Sequence, residues 1–291
     1  MASGILNVNK PAGPTSFSIV RSVKRLPGAR KVGHGGTLDP AADGVLPILV
    51  NAATRLAEFV HEWSKTYLAG VTFGVVSDTD DREGTLSPAG DPRSLTAERI
   101  QILLPAFTGR IAQIPPAYSA LKRGGEPLYR KARRGEHVDL AARFVEIEAI
   151  ELRDYAAATA TARLEVRCQR GTYMRSLARD LGAALGCGGY LSSLTRLSVG
   201  PLQLEGAIST QDLVALGEDW IDALLPMDLP LRGWPAMTLD VLEVETVRHG
   251  MPLTAPASAT GRYRLLDVEG RLVALAQVEA GRLQPHTVLE P

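Results

Sequence analysis

Apolar and polar residues alternate most clearly over residues 162–168. The apolar set is Ala162, Leu164, Val166 and Cys168, and each of these is followed by a charged or polar residue. A period of two is typical of a strand with one buried face. From Met174 to Leu185 apolar residues recur at helical spacing instead. The pattern therefore predicts that this strand gives way to a helix near Thr172.

The same analysis predicts further elements towards the N-terminus. After the turn at 10–14, Thr15 or Ser16 can cap a helix that ends before Pro27 and Gly28. Residues 45–50 and 67–76 are predicted to be strands, and residues 96–104 a helix. Strands and helices follow no regular βαβ rhythm, and no strand leads into a GxGxxG loop. The chain is therefore predicted to be α+β rather than a dinucleotide-binding fold.

The hydrophobic pattern changes near residues 229–235, which suggests a domain boundary. We expect a large domain over 1–232 and a small β-rich domain over 233–291. The small domain contains a predicted strand pair, 263–268 and 272–278, across Glu269-Gly270. A basic insertion near 115–140 follows two consecutive prolines, which require an extended chain.

The positions of the charged residues are more informative about a possible substrate than the net charge is. The 291 residues contain 32 Lys and Arg and 32 Asp and Glu, so net charge gives no argument for nucleic acid. Each of two basic clusters alone is typical of a solvated surface. Together, beside a glycine-rich loop, they favour a phosphate-bearing substrate. The clusters are Lys10, Arg21, Lys24, Arg25, Arg30 and Lys31, and then Lys122, Arg123, Arg130, Lys131, Arg133 and Arg134.

The two cysteines, Cys168 and Cys187, are too few and too ill-spaced for a disulfide scaffold or a tetrahedral metal site. We expect both to be reduced core residues. The N-terminus has no apolar signal segment, and no apolar run reaches membrane-spanning length. These features predict a cytoplasmic protein that does not associate with membranes.

Asp39 is the first carboxylate of the chain and lies in the glycine-rich segment Gly33 to Pro40. Glycines let a backbone approach a ligand closely, and Pro40 biases Asp39 away from helical geometry. One interpretation is a catalytic acid presented in a polyanion-binding cleft. The other is an ordinary turn, because Asp before Pro is common in turns.

Five separated segments resemble the bacterial tRNA pseudouridine-55 synthase family, TruB. They are Asn9 to Gly13, Gly33 to Pro40 with Ala42, Gly44 and Leu46, Lys65 to Tyr67, Pro115 to Ala120, and Gly171 to Arg175. Five segments in the family order are far more specific than one. Gly35 departs from the pattern, since relatives usually carry threonine or serine there, and this could loosen the loop.

The resemblance implies a catalytic domain with a large mixed, mainly antiparallel sheet and flanking helices, plus a small PUA-like RNA-binding domain. It implies isomerisation of uridine 55 in the T-loop of tRNA, through base flipping and a covalent aspartate intermediate. Asp39 matches the nucleophile, whose target is either the uracil ring or the ribose carbon. Arg175 matches the arginine that orients it, and Tyr67 matches the tyrosine that stacks on the base and serves in proton transfer.

Further residues match substrate-binding positions. His34 matches the residue implicated in flipping, Leu194 matches an apolar pocket wall, and Lys65 shares a strand face with Tyr67. Lys10 is expected to bind substrate as well. Without the resemblance, each would more often be a solvated, capping or core residue. Asp78 and Asp80 are expected to order a loop, and no metal or organic cofactor is expected.

The expected partner is the T-arm of tRNA, over which the basic insertion would close, and the protein is expected to act as a monomer without an obligatory protein partner. Two alternatives remain open. The chain could be a tRNA-folding chaperone without essential catalysis, or a relative of the RNA-guided pseudouridine synthases. Guided relatives usually carry longer flanking regions.

Overall fold

The computed structural model describes residues 2–116, 122–123, 126–127 and 140–289. Most of the predicted basic insertion lies outside these residues. The helices are α1 Ser16–Val23, α2 Ala57–Glu62, α3 Ala97–Leu103, α4 Met174–Ala184, α5 Thr210–Ala215 and α6 Val241–Arg248.

Strands outnumber helices in the described part of the chain. They are β1 Gly4–Lys10, β2 Val32–His34, β3 Asp43–Val50, β4 Lys65–Phe73, β5 Val75–Ser77, β6 Leu86–Pro88, β7 Gly109–Gln113, β8 Lys122–Arg123, β9 Glu126–Pro127, β10 Arg143–Ala156, β11 Thr161–Cys168, β12 Gly189–Val199, β13 Leu202–Gln203, β14 Ile208–Ser209, β15 Ala236–Thr238, β16 Leu253–Thr254, β17 Arg262–Leu266, β18 Leu272–Glu279 and β19 Arg282–Val288.

A ten-stranded sheet forms the larger part of the fold. Its strand order is β14-β1-β3-β12-β4-β11-β10-β7, with β13 paired to β12 and β2 paired to β3. The pairs β1–β14 and β3–β12 are parallel, and the remaining pairs in this sheet are antiparallel. The prediction of an α+β fold with a large mixed, mainly antiparallel sheet is confirmed.

Strand β11 has the buried face that its alternation predicts. Ala162, Leu164 and Val166 are fully buried, and the intervening residues are partly or fully exposed. The helix predicted after it is α4, whose Leu177 and Leu181 pack into the same cluster. The period of two in β11 and the helical spacing in α4 therefore each mark the residues that form this core.

Helix α1 begins as predicted. The side chain of Thr15 accepts a hydrogen bond from the backbone N–H of Ser18, so Thr15 is the N-cap. Ile19, Val20 and Val23 are buried against the sheet, in a cluster that also contains Trp220. The opposite face of α1 remains exposed.

The prediction of one continuous strand over 67–76 is wrong in one respect, because Gly74 separates this segment into β4 and β5. This glycine has a φ of +88°, in the left-handed region, and its N–H donates to the carbonyl of Gly188. Strand β4 ends at Phe73, and β5 leaves the large sheet to pair with β6. A propensity pattern cannot register such a turn inside a β-rich run.

The C-terminal sheet has the order β15-β17-β18-β19-β16. The predicted pair is β17 and β18, which are antiparallel neighbours. A third cluster joins this sheet to the larger one, because Leu56 and Leu231 pack with Leu272, Leu275 and Leu289. The β-rich character predicted for this region is confirmed.

Replacement of Leu164 by Ala should lower the free energy of unfolding by about 2–5 kcal/mol, because it empties space in the centre of the main cluster. The matched control is Leu242→Ala on α6, since Leu242 is 78% exposed and its truncation should change stability by less than about 0.5 kcal/mol. Urea unfolding of both variants checks the expectation. Equal losses would contradict the assignment of Leu164 to the core.

Candidate active site

A cleft of about 920 Å³ opens beside the large sheet. Its walls come from the loop between β2 and β3, from β4, from the start of α4 and from β12. Six of the seven predicted site residues line it: His34, Asp39, Lys65, Tyr67, Arg175 and Leu194. Residues far apart in sequence are therefore brought to one concave surface.

Asp39 and Arg175 form an ion pair in this cleft. The carboxylate Oδ2 of Asp39 lies 3.1 Å from Nη2 of Arg175. The side chain of Arg175 is 9% exposed and that of Asp39 is 46% exposed. The guanidinium is thus fixed in the protein, whereas the carboxylate is open to a ligand.

Asp81 is a second carboxylate on the same guanidinium, and the sequence analysis did not identify it. Its Oδ2 lies 3.5 Å from Nη1 of Arg175. Thr79 donates from Oγ1 to Oδ1 of Asp81 at 2.6 Å, and the N–H of Glu83 donates to the same oxygen at 3.0 Å. Asp81 is therefore held rigidly and in turn holds Arg175.

The neighbouring aspartates order the loop. Asp80 has a φ of +63° and pairs with Arg179 at 2.9 Å. Burial raises the pKa of Asp80, although Arg179 opposes the shift. Asp78 accepts a hydrogen bond from the N–H of Thr85 at 2.8 Å. The ordering role predicted for Asp78 and Asp80 agrees with these contacts.

Tyr67 and Lys65 project from β4 towards the cleft. Burial raises the pKa of the Tyr67 phenol, and the positive charge of Arg196 opposes that increase. Lys65 is 6% exposed and donates to the carbonyl of His61 at 2.5 Å and to that of Trp63. Burial lowers the pKa of Lys65 to about 8, and Arg196 adds to the effect.

Arg196 is a cleft residue that the sequence analysis missed. It is 1% exposed and donates from Nε to the carbonyl of Val45 at 2.6 Å. Its Nη1 donates to the carbonyl of Thr37 and its Nη2 to the carbonyl of Gly36, each at 3.2 Å. Both carbonyls belong to the loop that carries Asp39. A Cβ on Gly44 would lie 2.3 Å from the carbonyl oxygen of Arg196, so the glycine permits this close approach. Gly44 reports only this backbone contact, and no sequence signal identified the side chain of Arg196.

His34 and Leu194 border the cleft as expected. The N–H of Gly36 donates to Nδ1 of His34 at 3.4 Å. Burial lowers the pKa of His34, and His61 and Arg196 lower it further, so its ring is neutral at pH 7. Gly35 does not leave a gap, because a Cβ there would lie 2.3 Å from Cγ1 of Val60.

Lys10 occupies a different place from the one expected for a substrate ligand. It is fully buried and does not line the cleft. Its amine donates to the carbonyls of Pro11, Pro14, Pro40 and Ala42 at 2.6–3.3 Å. Four acceptors saturate an ammonium group, which has three protons. Lys10 therefore fastens the N-terminal turn to the loop that carries Asp39.

Comparison with known families agrees with this geometry. The model described as "TruB family pseudouridylate synthase (N terminal domain)" matches residues 24–174. The two C-terminal models, "tRNA pseudouridylate synthase B C-terminal domain" and "tRNA Pseudouridine synthase II, C terminal", match residues 175–232 and 234–290. The chain belongs to the TruB family. Asp39 and Tyr67 lie in the part matched by the TruB N-terminal model, and Arg175 directly follows that part.

Relatives match over nearly the whole chain. The tRNA pseudouridine synthase B of Syntrophomonas wolfei is 40% identical, over 99% of this chain and 97% of its own. That of Xanthomonas campestris is 43% identical, over 97% of this chain and 92% of its own. Among solved structures, a Cbf5-Nop10-Gar1 complex contains a chain that matches with a TM-score of 0.75 at 27% identity, covering 99% of this chain and 85% of that one.

The pKa of Lys65 predicts how stability depends on pH. The pKa of about 8 in the folded protein lies below the ordinary 10.5. Between pH 8 and pH 10.5 the unfolded chain therefore keeps a proton on Lys65 that the folded protein has lost. The free energy of unfolding should therefore rise as pH increases from about 8 towards 10.5, by up to about 3 kcal/mol from this residue. Lys65→Met should remove that rise, as measured by urea unfolding at several pH values.

The control is Lys24→Met, because Lys24 is exposed on the surface. That variant should keep the pH dependence of the parent protein. Parallel pH profiles for the parent protein and Lys65→Met would show that Lys65 does not titrate in this range.

Proposed function

We propose that this protein isomerises a uridine of tRNA to pseudouridine, with Asp39 as the nucleophile. The observation that carries the proposal is the ion pair of an accessible Asp39 with a buried Arg175 at a cleft large enough for a nucleoside. Family membership and relatives named tRNA pseudouridine synthase B support the reaction and the substrate class.

The proposed chemistry conserves every atom. Asp39 bonds covalently to the nucleoside, the bond between C1′ and N1 breaks, and a bond between C1′ and C5 replaces it. The bond to Asp39 then breaks, which restores the free carboxylate. The C5 proton leaves and N1 gains one, so product and substrate are isomers. Arg175 stabilises the negative charge of Asp39 and fixes its direction, because its own position is held by Asp81 and Thr79.

Tyr67 is proposed to stack on the uracil ring and to take part in the transfer of the C5 proton late in the reaction. Its position opposite Arg196 supports this role, since the nearby guanidinium opposes the rise in the phenol pKa that burial causes and so favours the phenolate. Leu194 would form an apolar wall for the base. Lys65 would support the pocket floor, because its amine is committed to backbone carbonyls.

A uridine inside folded RNA must leave its stack before Asp39 can reach it. His34 is proposed to occupy the space that the base vacates. The lowered pKa of His34 supports this role, because a neutral ring can enter a base stack without desolvation of a charge.

The finer parts of the proposal concern the target and its surroundings. The uridine is position 55 of the T-loop, bound by domain 1–232 with the insertion near 115–140 closing over the T-arm. The domain 233–291 would act as a PUA-like RNA-binding module.

The protein would act as a monomer in the cytoplasm without an obligatory protein partner. Two free, buried cysteines agree with a reducing compartment. In the described ranges, every helix is too short or too polar to cross a membrane.

RNA-guided modification is the second candidate, because the solved structures that match include one titled as an H/ACA RNP bound to a substrate RNA, at 25% identity. The higher identity to tRNA pseudouridine synthase B, 40–43%, favours the first candidate. A tRNA-folding activity without essential catalysis is less well supported, since Asp39, Tyr67 and Arg175 all reach the same cleft.

Asp39→Asn should reduce pseudouridine formation on the order of 10⁶-fold, because the amide keeps the shape of the side chain but loses the nucleophilic oxygen. Binding of tRNA should persist, since most RNA affinity comes from phosphate contacts. Single-turnover assays and filter binding measure the two effects. The control is Asp91→Asn, outside the cleft and paired with Arg93. Normal turnover by the Asp39→Asn variant would refute the proposed nucleophile.

Incubation of the pure protein with an unmodified tRNA transcript, without guide RNA, should give pseudouridine at position 55 alone. A transcript with cytidine at position 55 should remain unmodified. Mass spectrometric mapping of the RNA checks both expectations. Absence of product from the first transcript would favour the guided class, and product at another uridine would contradict the proposed position.

A further inference from the structure

The exposed face of α1 and the two residues that follow the helix carry an aromatic ring and three cations. Phe17 is 65% exposed, and Arg21, Lys24 and Arg25 are also exposed. Steps of four and three residues place Phe17, Arg21 and the C-cap residue Lys24 on one side of the helix, and Arg25 directly follows the C-cap. Buried Ile19 and Val23 lie on the opposite side. We call these four exposed residues, Phe17, Arg21, Lys24 and Arg25, the α1 stripe.

The cations of the α1 stripe lack carboxylate neighbours. The first 38 residues of the chain contain no Asp or Glu. Over the described ranges, no acidic group lies within 4.0 Å of Arg21, Lys24 or Arg25. Asp212 lies on α5, which packs on α1, but its carboxylate is engaged by Ser209 at 2.7 Å. The stripe therefore presents positive charge that is available to an external anion.

The α1 stripe begins at the edge of the cleft. Thr15, the N-cap of α1, lines the cleft itself. The next residue, Ser16, donates from Oγ to the carbonyl of Leu38 at 2.8 Å and accepts from its N–H at 2.9 Å. These two bonds attach the first turn of α1 to the residue before Asp39. Phe17 is two residues after Thr15 and therefore close to the edge of the cleft, and the cations follow it along the chain.

We propose that the α1 stripe is a second RNA-contact surface, on which Phe17 stacks against an unpaired base while Arg21, Lys24 and Arg25 neutralise backbone phosphates. An exposed aromatic ring beside unpaired cations is the arrangement that binds single-stranded nucleic acid, since every base offers a π-face. The inference rests on the proposed function for the identity of the RNA. It adds a contact outside the cleft, with nucleotides next to the flipped uridine.

The first test measures tRNA affinity in the Asp39→Asn background, where turnover does not interfere. Phe17→Ala should weaken binding roughly tenfold, within the range for loss of one stacked base. Phe17→Trp should preserve binding, and Phe17→Leu should lose as much as Phe17→Ala. Ile102→Ala is the matched control, because Ile102 is 80% exposed on α3 and does not line the cleft.

The second test measures the salt dependence of binding. The double variant Arg21→Gln, Arg25→Gln should lower the slope of log K against log salt by roughly 1.4 to 1.8, because each cation releases about one counterion from RNA. Arg99→Gln, on α3, should leave the slope unchanged. Pseudouridine formation at saturating protein should be unaltered in all of these variants when Asp39 is present, since none touches the ion pair.

Three results would overturn the inference: unchanged affinity for Phe17→Ala, full affinity for Phe17→Leu, or equal losses from the α3 controls. The last result would indicate a diffuse effect of surface changes, and unchanged RNA affinity would leave the stripe to a protein or membrane surface. Failure of the proposed function is a separate outcome, because it would appear as absent turnover in the parent protein while the stripe variants still changed RNA affinity.

Discussion

The guanidinium of Arg175 is the interaction on which the site depends. It joins three segments that the chain contributes separately: the loop with Asp39, the loop with Thr79 and Asp81, and the first turn of α4. A buried cation is stable only when polar groups replace its hydration, and here two carboxylates and a carbonyl do so. The arrangement leaves the Asp39 carboxylate both paired with a cation and accessible, which is the combination that a carboxylate nucleophile requires.

Backbone carbonyls support the cleft as much as side chains do. Lys10, Lys65 and Arg196 are nearly or fully buried, and each donates to main-chain oxygens of loops around the cleft. Such bonds fix loop geometry while they leave positive charge uncancelled. The cleft therefore combines a rigid wall with a favourable environment for the phosphates of an RNA substrate.

Local sequence patterns predicted the parts of the fold that depend on one segment at a time. The alternation in β11, the spacing in α4 and the cap at Thr15 each report a face or an end of a single element. The site depends on pairing between distant strands. Arg196 lies opposite Tyr67 only because β12 pairs with β4 in that register, and no local pattern contains this information. Resemblance to a family identified Asp39, Tyr67 and Arg175, whereas Asp81 and Arg196 required coordinates. Lys10 was predicted to bind substrate because it matched the family pattern, but it is buried and binds backbone carbonyls of two segments instead.

The leucine cluster between the two sheets has a mechanical consequence. Leu56 and Leu231 are buried together with Leu272, Leu275 and Leu289, and the rings of Phe59 and Trp234 lie edge to face with centroids 5.3 Å apart. An ion pair between Arg264 and Asp228 at 2.8 Å lies across the same junction. Such an interface resists sliding, because any rotation would hydrate apolar surface. The C-terminal sheet is thus held in one position relative to the large sheet, and the two move together as a unit.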